Sequence, residues 1–286
     1  MTEIKWHQEE KPKMRVNTRE GVTYLTYPEF DKLPGFVHAF STRLGGVSEG
    51  IYSSMNLSFT RGDKEEAVKE NYRRMADAAG FDMNDIVTSD QTHTANVRLV
   101  TEEDRGNGIT KPRPYTDVDG MITNVPGLVL ATFYADCVPL YFIDPVHRAI
   151  GLSHSGWRGT VAKIGAVTVR RMQEEFGSRP SEIYAAVGPS ICQDCYEVGE
   201  DVIEQFKENF EEEQWDSLFY EKPDGKYQLD LWEANHQIML EAGIREEHIS
   251  LPNLCTCCNP EFLFSHRASH GKRGNLGAFL GIKKTK

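Results

Sequence analysis

A thiol and an imidazole stand a short hairpin apart in this chain. Ala135-Asp136-Cys137 lies before, and Ser153-His154-Ser155-Gly156-Trp157-Arg158-Gly159 after, an apolar stretch interrupted at Asp144-Pro145. Upstream, Gln91-Thr92-His93 supplies a second imidazole. Two chemistries use such a set. Catalytic zinc takes three nitrogen or sulfur ligands and keeps one position open, which His93, Cys137 and His154 would satisfy. An ion held that way makes water a nucleophile near neutral pH. Alternatively, Cys137 is a thiolate nucleophile activated by His154, with Asp136 or His93 as the orienting group. The residues alone favour zinc only mildly, and both readings describe an enzyme.

The hairpin gives the pair its geometry. With Asp144 and His147 flanking a two-residue turn, Cys137 falls opposite His154. Opposed residues share a face, with Cβ atoms about 5 Å apart. Pro145 disfavours the primed turn such a loop needs, so the register can slip by a residue or two and still leave the two as neighbours. A free cysteine is often simply buried, and a histidine at a strand end is often structural. Against that, Asp136, Cys137, His154, Trp157 and Arg158 converge at strand ends beside a helix start, where chemistry is commonly carried.

The turn after His154 suggests an anion. Ser155, Gly156 and Gly159 allow close backbone approach, and the helix that starts there has free N–H groups. Arg158 offers a planar, bidentate partner for phosphate. Arg43, on the glycine turn Thr42-Arg43-Leu44-Gly45-Gly46, and Arg267 would complete a clamp. Taken singly, each arginine reads as a surface ion pair.

The elements that must position these groups follow from periodicity. Val22 to Tyr27 and Phe36 to Ser41 read as strands. Asp63 to Gly80 reads as a helix capped by Asp63, striped by Ala67, Val68, Met75, Ala76 and Ala79, and stopped by Gly80. Ile86 to Val100 alternates enough for one or two strands. Residues 101 to 118 are a charged loop with Pro112 and Pro114. Gly120 to Thr123, Leu128 to Tyr134, Leu140 to Ile143 and Ala149 to Ser153 are rich in strand formers. Trp157 to Phe176 reads as one helix, Ile183 to Gly188 as a strand, Glu200 to Phe210 and Leu231 to Ala242 as helices, and Leu276 to Ile282 as a closing strand. Strict βαβ alternation is absent, so antiparallel pairing is expected.

Composition narrows the class. The chain has 286 residues, 39% hydrophobic and 26% charged, as in ordinary globular proteins. Its 32 basic and 43 acidic residues give a net charge of −11, which argues against sequence-independent nucleic-acid binding. A local arginine cluster can still attract a small anion. No segment approaches the roughly 18 apolar residues of a membrane helix, and Met1 to Glu10 lacks a signal-peptide pattern. A cytoplasmic location is expected, with the cysteines reduced. Cys192-x-x-Cys195 has zinc-finger spacing, and Cys255, Cys257 and Cys258 could join it. Adjacent cysteines at 257 and 258 are awkward for tetrahedral ligation, so packing is the favoured role for these five.

The ordered motifs form a recognisable series. They are Phe40-Ser41-Thr42-Arg43-Leu44-Gly45-Gly46-Val47-Ser48, Asn56-Leu57, Gly62-Asp63 with Asn71, Gln91-Thr92-His93, and Asp119-Gly120-Met121-Ile122-Thr123. Ala135-Asp136-Cys137, His154 to Gly159, Gly188-Pro189-Ser190-Ile191, Cys195-Tyr196-Glu197-Val198 and Phe264-Ser265-His266-Arg267 follow. Over nearly its whole length the chain resembles the bacterial YfiH family, long described as multicopper polyphenol oxidase or laccase-domain proteins. The resemblance implies an α/β (α+β) fold: a single-domain α/β/β/α layered sandwich with mixed sheets, similar to cysteine-hydrolase-like proteins. Residues 1–20 would then be a lead-in and 21–286 the catalytic domain.

The resemblance also implies zinc, or alternatively copper, on His93, Cys137 and His154. It implies phosphorolysis of adenosine, inosine, guanosine or methylthioadenosine, with deamination of adenosine. Cys137, His154, His93 and Asp136 would be catalytic, Asp136 as a proton shuttle. Arg43, Arg158, Arg267, Asn56 and Gln91 would bind substrate and phosphate. The partners expected are purine nucleosides and phosphate, with neither nucleic acid nor membrane, in a monomer or small homo-oligomer. The usual nucleobase-deaminase signature is absent, so deamination would be convergent. Laccase chemistry fits poorly, because scattered histidines do not supply the additional copper sites oxygen reduction needs. Two departures from the family stand out. Ser155 replaces the usual alanine, and the stretch from Arg267 to Leu276 lacks the usual glycine-arginine-methionine ending, leaving Arg267 as the last arginine expected in the site.

Overall fold

The computed structural model describes residues 3–11 and 14–284. Two six-stranded sheets dominate it. In spatial order the first runs Arg15–Arg19, Val22–Thr26, Phe36–Ser41, Leu276–Ile282, Val129–Tyr134, Ile86–Thr88. The second runs Ile249–Ser250, Tyr184–Val187, Val138–Asp144, Ala149–Ser155, Gly120–Thr123, Val97–Leu99. Most pairs are antiparallel; Ile86–Thr88, Val97–Leu99 and Ile249–Ser250 pair in parallel with their neighbours.

Strand period decides which face each residue covers. In Val129–Tyr134, Leu130 and Tyr134 point into the core shared with the second sheet, and Val129 and Ala131 point the other way. In Val138–Asp144, Tyr141 and Ile143 meet the first sheet, while Leu140 and Phe142 turn to the helices. The outer face of the first sheet is covered by helix Glu65–Ala79 through Val68, Tyr72 and Met75. The outer face of the second is covered by Ile164–Phe176, Glu200–Asn209 and Leu231–Glu241. Helix, sheet, sheet, helix is the layering of an α+β sandwich, as expected.

Four local expectations are corrected. The charged lead-in belongs to the fold: Arg15–Arg19 pairs with Val22–Thr26, and Trp6 bridges to Leu254. The helix after residue 63 starts at Glu65 with Lys64 at its cap. Asp63 instead accepts hydrogen bonds from Ser48 Oγ and Asn56 Nδ2, which fix the preceding loop. The helix expected from Trp157 to Phe176 is two, Trp157–Val161 and Ile164–Phe176, broken where Lys163 takes a left-handed φ of 53°. Finally, the hairpin turn is four residues long, with Asp144 paired to Ala149 and Pro139 to His154.

The register shift spares the site. One step beyond the last pair, Val138–Ser155, Cys137 faces Gly156 rather than His154. A two-residue shift preserves parity, so Cys137 and His154 remain on one face as diagonal neighbours, within reach of an imidazole.

Candidate active site

The three residues meet. One ligand atom each from His93, Cys137 and His154 lie within 4.8 Å of one another. The two imidazoles stand edge to face, with ring centroids 4.9 Å apart. His154 lies in the strand Ala149–Ser155, Cys137 immediately precedes its hairpin partner Val138–Asp144, and His93 comes from the loop after Ile86–Thr88. Gly156 makes the approach feasible: a Cβ there would lie 3.0 Å from His93 Cδ2 and 3.2 Å from Cys137 Sγ.

Asp119 organises both histidines. Its Oδ1 accepts a 2.7 Å hydrogen bond from His154 Nδ1 and a second from the His93 backbone N–H at 3.1 Å. Its Oδ2 accepts from the N–H groups of Thr92 and Thr94. Three successive N–H groups directed at one carboxylate hold His93 at its left-handed φ of 67°. Burial alone would raise the Asp119 pKa, but the bonds from His154 and the backbone hold it at about 2. Burial likewise opposes charge on Cys137 and His154. Their mutual attraction, with Asp119 behind the imidazole, nonetheless lowers the thiol and raises the imidazole.

Asp119 stands in the motif Asp119-Gly120-Met121-Ile122-Thr123, and nothing in the motif itself points to this role. Its position carries a signal: a carboxylate immediately before the strand Gly120–Thr123 that pairs with the hairpin, where the outer nitrogen of a metal-binding histidine finds a partner.

A cavity of about 330 Å³ opens beside the cluster, with His93, Cys137 and His154 in its wall. Phe59 and Phe133 give it aromatic surface, and Arg61, Arg113 and Arg273 bring positive charge. Arg113 is already paired with Asp90. Arg273 is buried, bonding only to Gly274 O, Asn275 Oδ1 and His266, and its Nε has no partner. Burial, and then the charge of Arg61, lower its pKa to about 10, so it stays cationic at neutral pH. Among the described residues neither Arg61 nor Arg273 has a carboxylate at ion-pair distance.

The expected arginine clamp is not assembled. The Arg43 guanidinium donates to Ser53 O and Pro260 O and lies over the Phe264 ring. Arg267 donates to Cys195 O and Glu197 O. Arg158 lies over Trp157, on a helix of only five residues, so few aligned peptides favour an anion there. None of the three lines the cavity. The positive charge comes instead from Arg61 and from Arg273, beyond the last arginine expected.

Other expected residues divide. Gln91 lines the cavity, yet its amide is bonded at both ends to the Phe133 backbone. Asn56 is fully buried and ties Ser58, Asp63 and the Asn275 N–H together, a loop-fixing position away from the cavity wall. Asp136 accepts from Thr256 Oγ1 and the Arg267 N–H, so its carboxylate faces the protein rather than the cavity and is badly placed for a shuttle. The unusual Ser155 is accommodated by Asn235 and Thr160.

A layered α+β sandwich with a Cys/His cluster at the edge of an arginine-bearing cavity defines an enzyme-type site. Residues 37–283 match the family model described as multi-copper polyphenol oxidoreductase laccase, and the chain belongs to this family, the YfiH family of the sequence motifs. It is 38% identical over 249 residues to the purine nucleoside phosphorylase YlmD of Bacillus subtilis, covering 87% of this chain and 89% of that one. It is 35% identical over 242 residues to adenosine deaminase RL5 from an unknown prokaryotic organism, covering 84% and 91%. The crystal structure of the Bacillus licheniformis protein YfiH superposes with a TM-score of 0.87 at 35% identity, covering 94% of this chain and 99% of that one.

Proposed function

We propose that this chain is a purine nucleoside phosphorylase that also deaminates adenosine, with zinc held by His93, Cys137 and His154. The observation that carries the reading is a Cys/His cluster sharing one cavity wall with Arg61 and Arg273, two cations without carboxylate partners among the described residues. The substrates would be adenosine, inosine, guanosine or methylthioadenosine with phosphate, in line with the names of the relatives.

The donor set fits a metal. Asp119 accepts the hydrogen bond from His154 Nδ1–H, which leaves the Nε2 lone pair to bind a metal, and the cluster is open towards the cavity. Zinc bound there would supply Lewis acidity and lower the pKa of water. The chain's own groups do the positioning. Arg61 and Arg273 would hold phosphate by charge-assisted hydrogen bonds, and Phe59 and Phe133 would wall the purine. In phosphorolysis a phosphate oxygen bonds to C1′ while the glycosidic bond breaks towards the purine nitrogen, so alignment and field dominate over a protein nucleophile.

The site draws on residues from 61 to 273, which supports one catalytic unit over 21–286, with the lead-in strand Arg15–Arg19 added to the edge of its first sheet. No helix among the described residues is long and apolar enough to cross a membrane. Six free cysteines support a reducing, cytoplasmic setting.

The test is incubation of adenosine and inosine with and without phosphate, followed by chromatography and elemental analysis. Free base and ribose 1-phosphate should appear only with phosphate, and inosine should form from adenosine without it. No free base and no inosine would overturn the proposal, as would full activity in Cys137→Ala.

One observation favours a second reading. Asp119, His154 and Cys137 are arranged as a carboxylate–imidazole–thiol series, as a cysteine hydrolase would need. Activity that survives metal removal but is lost on alkylation would select it. Copper-dependent phenol oxidation has less support, because no methionine lines the cavity and no further histidine cluster accompanies the site among the described residues.

A further inference from the structure

A second sulfur cluster lies away from the cavity. The Sγ atoms of Cys192, Cys195, Cys255 and Cys258 all lie within 4.8 Å of one another. Four thiolates around zinc, at about 2.3 Å each, stand ~3.8 Å apart in a tetrahedron. The Cys195 and Cys258 sulfurs are 3.4 Å apart, well beyond a disulfide bond of about 2.05 Å. All four are free thiols.

The backbone around them is built for sulfur. Two Cys-x-x-Cys turns contribute a pair each, one through the 3-10 turn Gln193–Cys195 and one through the loop from Cys255 to Cys258. The bridge between Ser190 and Cys255 brings the turns together. The N–H groups of Cys192 and Cys258 both point at Cys255 Sγ, at 3.3 and 3.4 Å. Donors of this kind stabilise a thiolate more than a neutral thiol. Cys192 and Cys255 are buried, while Cys195 and Cys258 are partly exposed, giving an ion a route in. Cys257 is not among the four mutually close sulfurs, so a tetrahedral set needs only Cys258 of the adjacent pair and the awkward adjacency at 257 and 258 disappears. His7 and Asp194 also approach Cys192, but both are exposed and supply fewer sulfurs.

The cluster sits behind the active site. Thr256, between two of its cysteines, donates to the Asp136 carboxylate beside Cys137. Arg267 joins Cys195 O to the same carboxylate through its own backbone N–H.

We propose that Cys192, Cys195, Cys255 and Cys258 bind a structural zinc ion, separate from the His93–Cys137–His154 cluster, that fixes the loop supporting Cys137. Four sulfur ligands close the coordination sphere, which leaves this ion no catalytic position. Packing, the role favoured by the spacing alone, does not account for four thiols converging on one point with N–H groups aimed at sulfur.

The test uses the full-length chain, purified under reducing conditions. Cys137→Ala removes a ligand from the first site, so zinc retained by this variant reports the second. One tightly held equivalent is expected, and it should be lost in Cys137→Ala with Cys195→Ser and Cys258→Ser added. Should the triple variant fail to fold, cobalt(II) substitution of Cys137→Ala stands alone: four thiolates give intense sulfur-to-metal charge transfer and strong tetrahedral visible bands. A Cys137→Ala protein that takes up no metal overturns the proposal. So does iron in place of zinc, or a non-reduced mass lighter by the hydrogens of a disulfide. The measurement reads metal rather than turnover, so its outcome is independent of the activity proposed above.

Discussion

Asp119 Oδ1 accepts a 2.7 Å hydrogen bond from His154 Nδ1, and the same carboxylate gathers the backbone of residues 92 to 94. One side chain therefore sets the tautomer of one histidine and the loop conformation of the other. Asp119→Asn should keep the fold but disturb both. Outer partners of this kind typically contribute 10–100-fold in metal affinity or activity. A loss of about that size in metal retention against a chelator is expected, with the thermal transition little changed. Unaltered retention would mean that Asp119 is only a loop anchor.

Arg273 should affect phosphate more than nucleoside. Arg273→Gln should raise KM for phosphate by roughly 10- to 100-fold, the scale of a charge-assisted bond of about 1.5–3 kcal/mol. Phosphate-independent conversion of adenosine to inosine should change far less. Equal losses in both reactions would place Arg273 in scaffolding rather than phosphate binding. Arg43→Gln, by contrast, should leave KM for phosphate unchanged, because its guanidinium is committed to Ser53 O and Pro260 O.

Gly156 matters for space rather than for backbone conformation, since its φ is −75°. The methyl of Gly156→Ala would press on His93 Cδ2 at 3.0 Å and Cys137 Sγ at 3.2 Å. Because His93 is exposed, it is the group that yields. Metal retention and kcat should fall together, by about tenfold or more, while far-UV circular dichroism stays native. Wild-type metal content in this variant would contradict the crowding argument.

Acid sensitivity should trace in part to His38. Its Nε2 accepts the Tyr27 N–H at 2.8 Å, and burial lowers its pKa to about 3. In the unfolded chain histidine titrates near 6.5. Between these values the unfolded state binds the extra proton, so folding loses about 1.4 kcal/mol per pH unit as pH falls from ~6.5 towards ~3. Above ~6.5 the group has no such effect. His38→Gln, which keeps an acceptor for Tyr27, should show a shallower fall in urea midpoint between pH 6.5 and 5. Parallel curves for the two proteins would exclude His38 as a contributor.

Much of the framework was legible from periodicity. The strand Leu276–Ile282, the helix stopped by Gly80 and the antiparallel hairpin all follow from local patterns of apolar residues and glycines. The helix break at Lys163 was not legible, because lysine is an ordinary helix residue and only the packed structure puts it at a left-handed φ. The arginine positions were not legible either. Arg43 and Arg267 sit in motifs that suggest a ligand, yet backbone carbonyls from distant segments claim their guanidinium groups.

The sequence by itself determined that Cys137 and His154 are neighbours. They flank one hairpin, and a strand alternates with period two, so even a shifted register kept them on one face. It also determined, through its motifs, that His93 joins them. The tertiary structure alone decided that Asp119 orients the pair, that Arg61 and Arg273 rather than Arg43, Arg158 and Arg267 face the cavity, and which four cysteines gather into one mutually close set. The physical reason is the same in each case. Local patterns specify elements and their faces, but where a charged or polar atom ends depends on which distant donors and acceptors packing brings within hydrogen-bond range.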